Sequence, residues 1–394
     1  MGLERTKTAR EAIKVIGELC VKYGYAGYYG SGGSYTIADG EEAWVMQLLS
    51  HPDGGSAVWA AQRVPDDEVA AVTNIFSVRE IDFDNPDRFM YSDNVKKVAE
   101  EQGWWKPGEP FDFLKIYARR RETIPYGTLR RTWRILDLIA PSKNFDPFVE
   151  DGFTKEYPFS VKPDEKVSVK DLICILRDHY EGTQFDLTKG LAAGPWGCPE
   201  RYNAPRDEEG AWERALSIYR CESTYILQSR EWLPDAIGAL AWWGLDAPHS
   251  TVYMPFYAGI NKLPKAYSTG SYEDFSRDNA WWAFNFVSNW ANLNYSYMIK
   301  DINKKQEVIE GREFAMQSAI EETAKQLYEK DPELAREFLT NYCVNNANDV
   351  LNEWWELSDY LIKAYSDGYG FQEEAIRYPV WWVREVGYGK GYQP

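Results

Sequence analysis

Five cysteines, three histidines and a surplus of carboxylates are the side chains here that can do covalent or acid–base chemistry. Cys20, Cys174, Cys198, Cys221 and Cys343 are odd in number and scattered, with no C-x-x-C pair, so neither a disulfide framework nor a zinc site is expected. His51, His179 and His249 are the only histidines and H-E-x-x-H is absent, so no metal site and no cofactor are expected. The glycine-rich GSGGS from Gly30 to Ser34 precedes a strand pattern instead of opening a helix, and G-x-S-x-G does not occur. The dinucleotide fingerprint and the hydrolase nucleophile elbow therefore both fail in context.

Each cysteine has its own setting. Cys20, Cys174 and Cys343 fall in helical patterns and are expected to be structural. Cys221 adjoins Arg220 in a strand pattern, where alternation sends the two to opposite faces. Cys198, in the loop GPWGCPER, is the one expected at the surface, with no histidine near it in sequence to serve as a base. With 17 Trp and 61 acidic residues, a pair of carboxylates flanking a sugar also stays open, as does a solvated acidic face.

The elements that must position these groups come in blocks. Thr8 to Tyr23 places Ala12, Ile13, Ile16, Leu19 and Cys20 at helical spacing, opposite Arg10, Glu11, Lys14 and Glu18. Four short runs follow, SYTIA, AWVMQLL, SAVWAAQ and EVAAVTN, separated by turn residues, and predict an antiparallel meander. From Asp84 to Ser168 the chain is rich in Pro, Asp and aromatics, with basic helical character from Arg119 to Asp137. Ser168 caps a helix in VSVKDLICILRDHY. The strand-like runs ALSIYRCESTYILQSR, AIGALAWWGLD and STVYMPFYAG come next, then helices from Asp278, with Asp331-Pro332 as a start signal and GYGKGYQP as a closing loop.

Blocks of strands and blocks of helices indicate an α+β fold. The expected divisions are 1–83, helix and antiparallel strands; 84–168, an irregular and helical insertion; 169–277, helix, loop and second strand block; and 278–394, a helical region. Lys and Arg total 44 against 61 Asp and Glu, a formal charge of −17 that repels phosphate backbones, so no nucleic-acid partner is expected. Charge interrupts every apolar stretch short of a membrane span, and MGLERTKTAREAIKVIGELC lacks the apolar core of a signal peptide. The expectation is a chain with no membrane partner, cytoplasmic by default.

Several ordered segments resemble one family. KTAREAIKVIGELCVKYG, IADGEEAWVMQ, WAAQRVPDDEVAAVTNIFSVREIDFDNPDRF, DLTKGLAAGPWGCPERY, YRCESTYILQSREWLPDAIGALAWWGLD and STVYMPFYAG are similar to the dipeptidase A (PepD-like) cysteine peptidases, relatives of the secernins, across Thr6 to Tyr388. The resemblance implies an N-terminal-nucleophile hydrolase, a four-layer αββα sandwich that cleaves dipeptides through an acyl-enzyme. In that mechanism the nucleophile's own α-amine, with a pKa of about 8, is the general base.

The family segment carrying the nucleophilic Cys has no counterpart in this sequence, so the sandwich is expected to be incomplete at its N-terminus. By the same resemblance Asn74 would donate to the tetrahedral oxyanion, and Arg220 would hold a thiolate or a substrate carboxylate through its planar fork. Read without it, Asn74 caps a strand end and Arg220 is a surface strand charge. Gly194, Trp196 and His249 resemble pocket-wall positions, and a packed Trp and a hydrogen-bonded structural His fit them equally. The expected ligand is a dipeptide or small amide. The expected partner is a second chain bearing the Cys, or further copies of this one. The alternatives are a non-catalytic binding or structural relative and an aromatic-rich glycoside hydrolase.

Overall fold

The computed structural model describes residues 2–27, 32–118, 126–202, 212–368 and 376–387. The start of the glycine-rich stretch at Gly30 and Ser31, the basic stretch before Tyr126 and the loop after Gly387 lie outside the described residues. The chain divides into two units, Met1–Val167 and Ser168–Pro394.

In the first unit, helix α1 (Ala9–Tyr23) starts where the Thr8 side chain accepts from the Glu11 amide. It lies on a sheet made of β1 (Gly33–Ala38), β2 (Ala43–Ser50) and β3 (Ala57–Val64), with Ala9 and Ile13 packed among Trp44, Met46, Leu48 and Trp59. A glycine is required at position 17: a Cβ there would stand 2.3 Å from the Trp59 ring. The expected meander is correct for its first three strands and wrong for the fourth. Of EVAAVTN only β4 (Val69–Ala70) is a strand, and it pairs with β6 (Ser160–Val161). The place beside β3 is taken by β5 (Phe89–Tyr91).

Between β5 and β6 lie the helices α2 (Val95–Glu101), α3 (Phe113–Tyr117) and α4 (Tyr126–Ile139). A second cluster, with Val58, Ala60, Val95, Val98 and Phe113, closes the other side of the sheet.

The second unit opens on α5 (Val169–Leu176). Ser168 and Asp171 cap each other's backbone there, as the serine in the sequence suggested. The antiparallel sheet β7 (Ser223–Gln228), β8 (Leu240–Leu245) and β9 (Met254–Tyr257) follows, with short α6 (Asp235–Gly238) ahead of β8. Helices α7 (Lys265–Ser268), α8 (Ala280–Ala291), α9 (Tyr295–Lys330), α10 (Pro332–Ala364) and α11 (Val380–Glu385) complete it.

Asp331 and Pro332 reverse the chain between α9 and α10 with no loop, the aspartate accepting from the Glu333 amide. Lys305 and Arg312, seven residues apart on one face of α9, both bind Glu353 of α10, at 2.7 and 2.8 Å. Period-two alternation gives the sheet two apolar faces. Met254 joins Phe284, Ile302, Val350 and Trp354 of the helices, while Trp242 and Tyr257 join Ile173, Leu339 and Cys343.

Candidate active site

In the first unit, buried Gln47 of β2 positions the segment that follows Asn74. Its Oε1 accepts from the Ser77 and Val78 amides, both at 2.9 Å, and its Nε2 donates to the Ser34 and Ser77 hydroxyls. Helix α4 holds the other side: Thr73 and Thr132 share a 2.9 Å hydrogen bond, and the Arg131 guanidinium donates to Asn74 Oδ1. Asn74 therefore sits in an exposed bend four residues beyond β4, not at the end of a strand. That guanidinium fixes which end of the amide is which, since an oxygen, not an NH₂, must face it.

In the second unit, Arg220 and Cys221 lie in a turn before β7 begins at Ser223, so the strand alternation assigned to them does not apply. Arg220 is exposed, and burial pushes the Cys221 thiol up to about 11. Cys198 is not the surface cysteine: burial pushes its thiol up to about 11, and its Sγ donates to Asn292 Oδ1 at 3.3 Å. Cys174 is the exposed one. Burial likewise raises Cys20 and takes Cys343 to about 12.

The loop GPWG and His249 meet at the first turn of α9. The Ser296 amide donates to the Trp196 carbonyl at 2.8 Å, and the Trp196 ring stacks on Tyr378 and meets Tyr297 edge-on. Gly194, at φ 63°, ends the short helical turn Leu191–Ala193 that leads into this loop. His249 contacts the Tyr295 ring, and its Nδ1 is 3.0 Å from the Ser217 hydroxyl, which accepts from the His249 amide.

Its neighbour His179, 4.9 Å away centre to centre and edge-on, is held through Nδ1 by Glu181 at 3.0 Å. Both rings are buried, and the Nε2 of each has no hydrogen-bond partner. Complete burial, with the charges of His179 and Arg177, holds His249 well below the ordinary imidazole range. Burial raises Glu181, yet the hydrogen bonds from His179 outweigh it and keep that carboxyl low.

A second polar group gathers beside them, and sequence reading missed it. Asp246 terminates β8 in the left-handed conformation, at φ 65°, which Asp tolerates better than most residues. Its carboxyl is 2% exposed, and Oδ1 accepts from Asn285 Nδ2 at 3.0 Å. Burial raises Asp246 from its ordinary value, against hydrogen bonds from Asn285, the Ala247 amide and Ser288. Glu200 is raised by burial and by the charge of Asp246, against a hydrogen bond from Asn292 and the field of His179.

Helix α8 supplies Asn285 and Ser288, and its cap supplies Asn292. This i, i+3, i+7 stripe of small polar side chains in an otherwise aromatic helix is the one signal the sequence offered. Among the described residues no group of three His, Cys, Asp or Glu side chains has the arrangement of a metal site.

The fold and these sites define a mixed α/β protein with antiparallel sheets and a helical C-terminal region. The model of Peptidase family C69 matches residues 1–308, and the chain belongs to that family. A probable dipeptidase of Latilactobacillus sakei is 27% identical over 276 residues, which cover 70% of this chain and 52% of that protein. A probable dipeptidase B of Lactococcus lactis is 27% identical over 301 residues, 74% of this chain and 56% of its own. Dipeptidase A of Lactobacillus helveticus is 23% identical over 288 residues, 73% and 55% respectively. The chain thus spans about half the length of the curated relatives it matches.

Proposed function

We propose that this chain is part of a dipeptidase-type hydrolase that cleaves amide bonds through a cysteine acyl-enzyme on an αββα N-terminal-nucleophile scaffold. The observation that carries this reading is membership of a peptidase family whose relatives named above are dipeptidases. Four of the five cysteines support placing the nucleophile elsewhere: Cys20, Cys198, Cys221 and Cys343 all have thiols raised by burial, the reverse of what attack requires. In this reading the thiolate comes from a cysteine outside these 394 residues, with its own α-amine as base.

Asn74 is assigned the oxyanion donor. Its Oδ1 accepts from Arg131, and its Nδ2 is the donor end of the amide, the chemistry that a developing negative charge calls for. Arg220 offers an exposed planar fork for a carboxylate or thiolate.

The test is intact-mass spectrometry of the native assembly, paired with a dipeptide hydrolysis assay with and without iodoacetamide. Thiol-sensitive hydrolysis by an assembly containing an N-terminal Cys supports the reading. A folded assembly without hydrolysis overturns it in favour of a binding or structural role.

A further inference from the structure

Arg220 stands on a β-turn that the second unit grips from both sides. The Cys221 amide donates to the Ile218 carbonyl at 3.2 Å, which closes the turn with Tyr219 and Arg220 at its central positions. Upstream, the Ser217 amide donates to the Asp178 carbonyl at 3.1 Å, and the Tyr180 hydroxyl donates to the Arg214 carbonyl at 2.7 Å. Downstream, the Asp246 amide donates to the Glu222 carbonyl at 3.0 Å. The Arg220 guanidinium is exposed and, among the described residues, forms no ion pair, although Arg177, Arg230 and Arg312 of the same unit each hold a glutamate.

Ser217 has a second anchor, through its side chain. It is 2% exposed, and its partner His249 is 4% exposed. The Ser217 hydroxyl accepts from the His249 amide at 3.1 Å, and His249 Nδ1 lies 3.0 Å from the same oxygen. With that oxygen already accepting, its one proton goes to Nδ1, so the ring carries its own proton on Nε2. Burial holds the ring neutral, which keeps Nδ1 an acceptor. His249 is fixed in turn: its carbonyl accepts from Gln306 Nε2 at 2.9 Å, and its ring meets Tyr295 and His179 edge-on.

We infer that Ser217 and His249 are positioning residues for Arg220, and that Arg220 takes a carboxylate. On the dipeptidase reading, on which this assignment rests, that group is the C-terminal carboxylate of the substrate. A planar fork suits the two oxygens of a carboxylate better than the single sulfur of a thiolate. On a chain of formal charge −17, an anion needs such a local cation. A dipeptide ends one residue beyond the bond to be cut. A guanidinium held at a fixed place therefore measures chain length, which one on a loose turn does not.

The test is hydrolysis of alanyl-alanine and of alanyl-alanine amide by the native assembly, with calorimetric titration of both peptides, for the wild type, R220M, S217A, H249L and H249N. Asn places Oδ1 where the imidazole has Nδ1, so H249N keeps an acceptor for the Ser217 proton and H249L does not. Circular dichroism checks folding; where H249L fails it, S217A removes the same hydrogen bond with one atom fewer. The wild type should favour the carboxylate peptide about tenfold. R220M, S217A and H249L should lose most of that preference through a higher KM for alanyl-alanine, and H249N should keep it. A preference absent from the wild type, or one that survives in R220M, overturns the carboxylate assignment. A preference that survives in S217A, or a loss carried by kcat alike on both peptides, overturns the positioning role. In an assembly without hydrolysis, calorimetric discrimination that depends on Arg220 and Ser217 leaves the inference standing and the dipeptidase reading fallen. Thiol-sensitive hydrolysis indifferent to these substitutions does the reverse.

Discussion

Arg131 occupies the Oδ1 end of Asn74, which turns the two Nδ2 hydrogens away from the guanidinium. An amide held this way costs little reorganisation when charge develops on a tetrahedral intermediate, whereas one free to flip would. If the oxyanion role is right, N74A in the active assembly lowers kcat about 10²- to 10³-fold with KM nearly unchanged. A fall in kcat/KM caused by KM alone would reassign Asn74 to ground-state binding.

His249 makes a prediction of the opposite kind, about stability. Its folded-state pKa is depressed by burial, with His179 and Arg177 adding in the same direction and Glu310 held by Arg177. The unfolded chain therefore binds a proton that the folded one refuses. The stability present above pH 6.5, the ordinary imidazole value, is lost as pH falls below it. Urea midpoints should decline between pH 7.5 and 5.5 with a slope of about one proton, and H249Q should flatten the curve.

At the scale of elements, the contact of α1 with its sheet is set by one missing methyl. A Cβ at Gly17 meets Trp59 Nε1 at 2.4 Å and ring carbons on either side, and Trp59 is a core residue at 5% exposure. G17A should destabilise the first unit by about 1–3 kcal/mol, read as a lower urea midpoint at unchanged slope, even though alanine is the better helix former. An unchanged midpoint would mean that α1 shifts on the sheet without penalty.

Helices of this kind were legible because their signals are local: Thr8 and Ser168 as caps, the Asp331-Pro332 start, and apolar residues at intervals of three and four. Elements defined by distant partners were not. β5 is three residues long and exists because β3 needs a neighbour, and β4 is two residues bonded to Ser160 and Val161 far along the chain. The residues Arg220 and Cys221 have strand-like types, yet the ladder to β8 starts only at Ser223. The second polar group was hidden for the same reason. Glu200 and Asp246 come from a loop and a strand end, and nothing in either segment announces the other or the α8 stripe beside them.

Across the whole molecule, the apolar clusters respect the division of the chain. Trp44, Trp59, Phe89 and Phe113 lie in cores drawn from residues before Val167, while Trp242, Tyr257, Phe284 and Trp354 lie in cores drawn from residues after it. The polar contacts around His249 and Asp246 follow the same rule. Arg177 binds Glu310 at 2.6 Å and the carbonyls of Pro248 and Thr251, Gln306 donates to the carbonyls of His249 and Thr251, and Asn285 donates to Asp246. All of these residues belong to the second unit. A segment that contains its own core and its own internal ion pairs meets the requirements of an independent folding unit. A fragment of residues 168–394 should therefore show a helical far-UV spectrum and a single cooperative thermal transition. A fragment that unfolds without cooperativity would show that the second unit depends on the first.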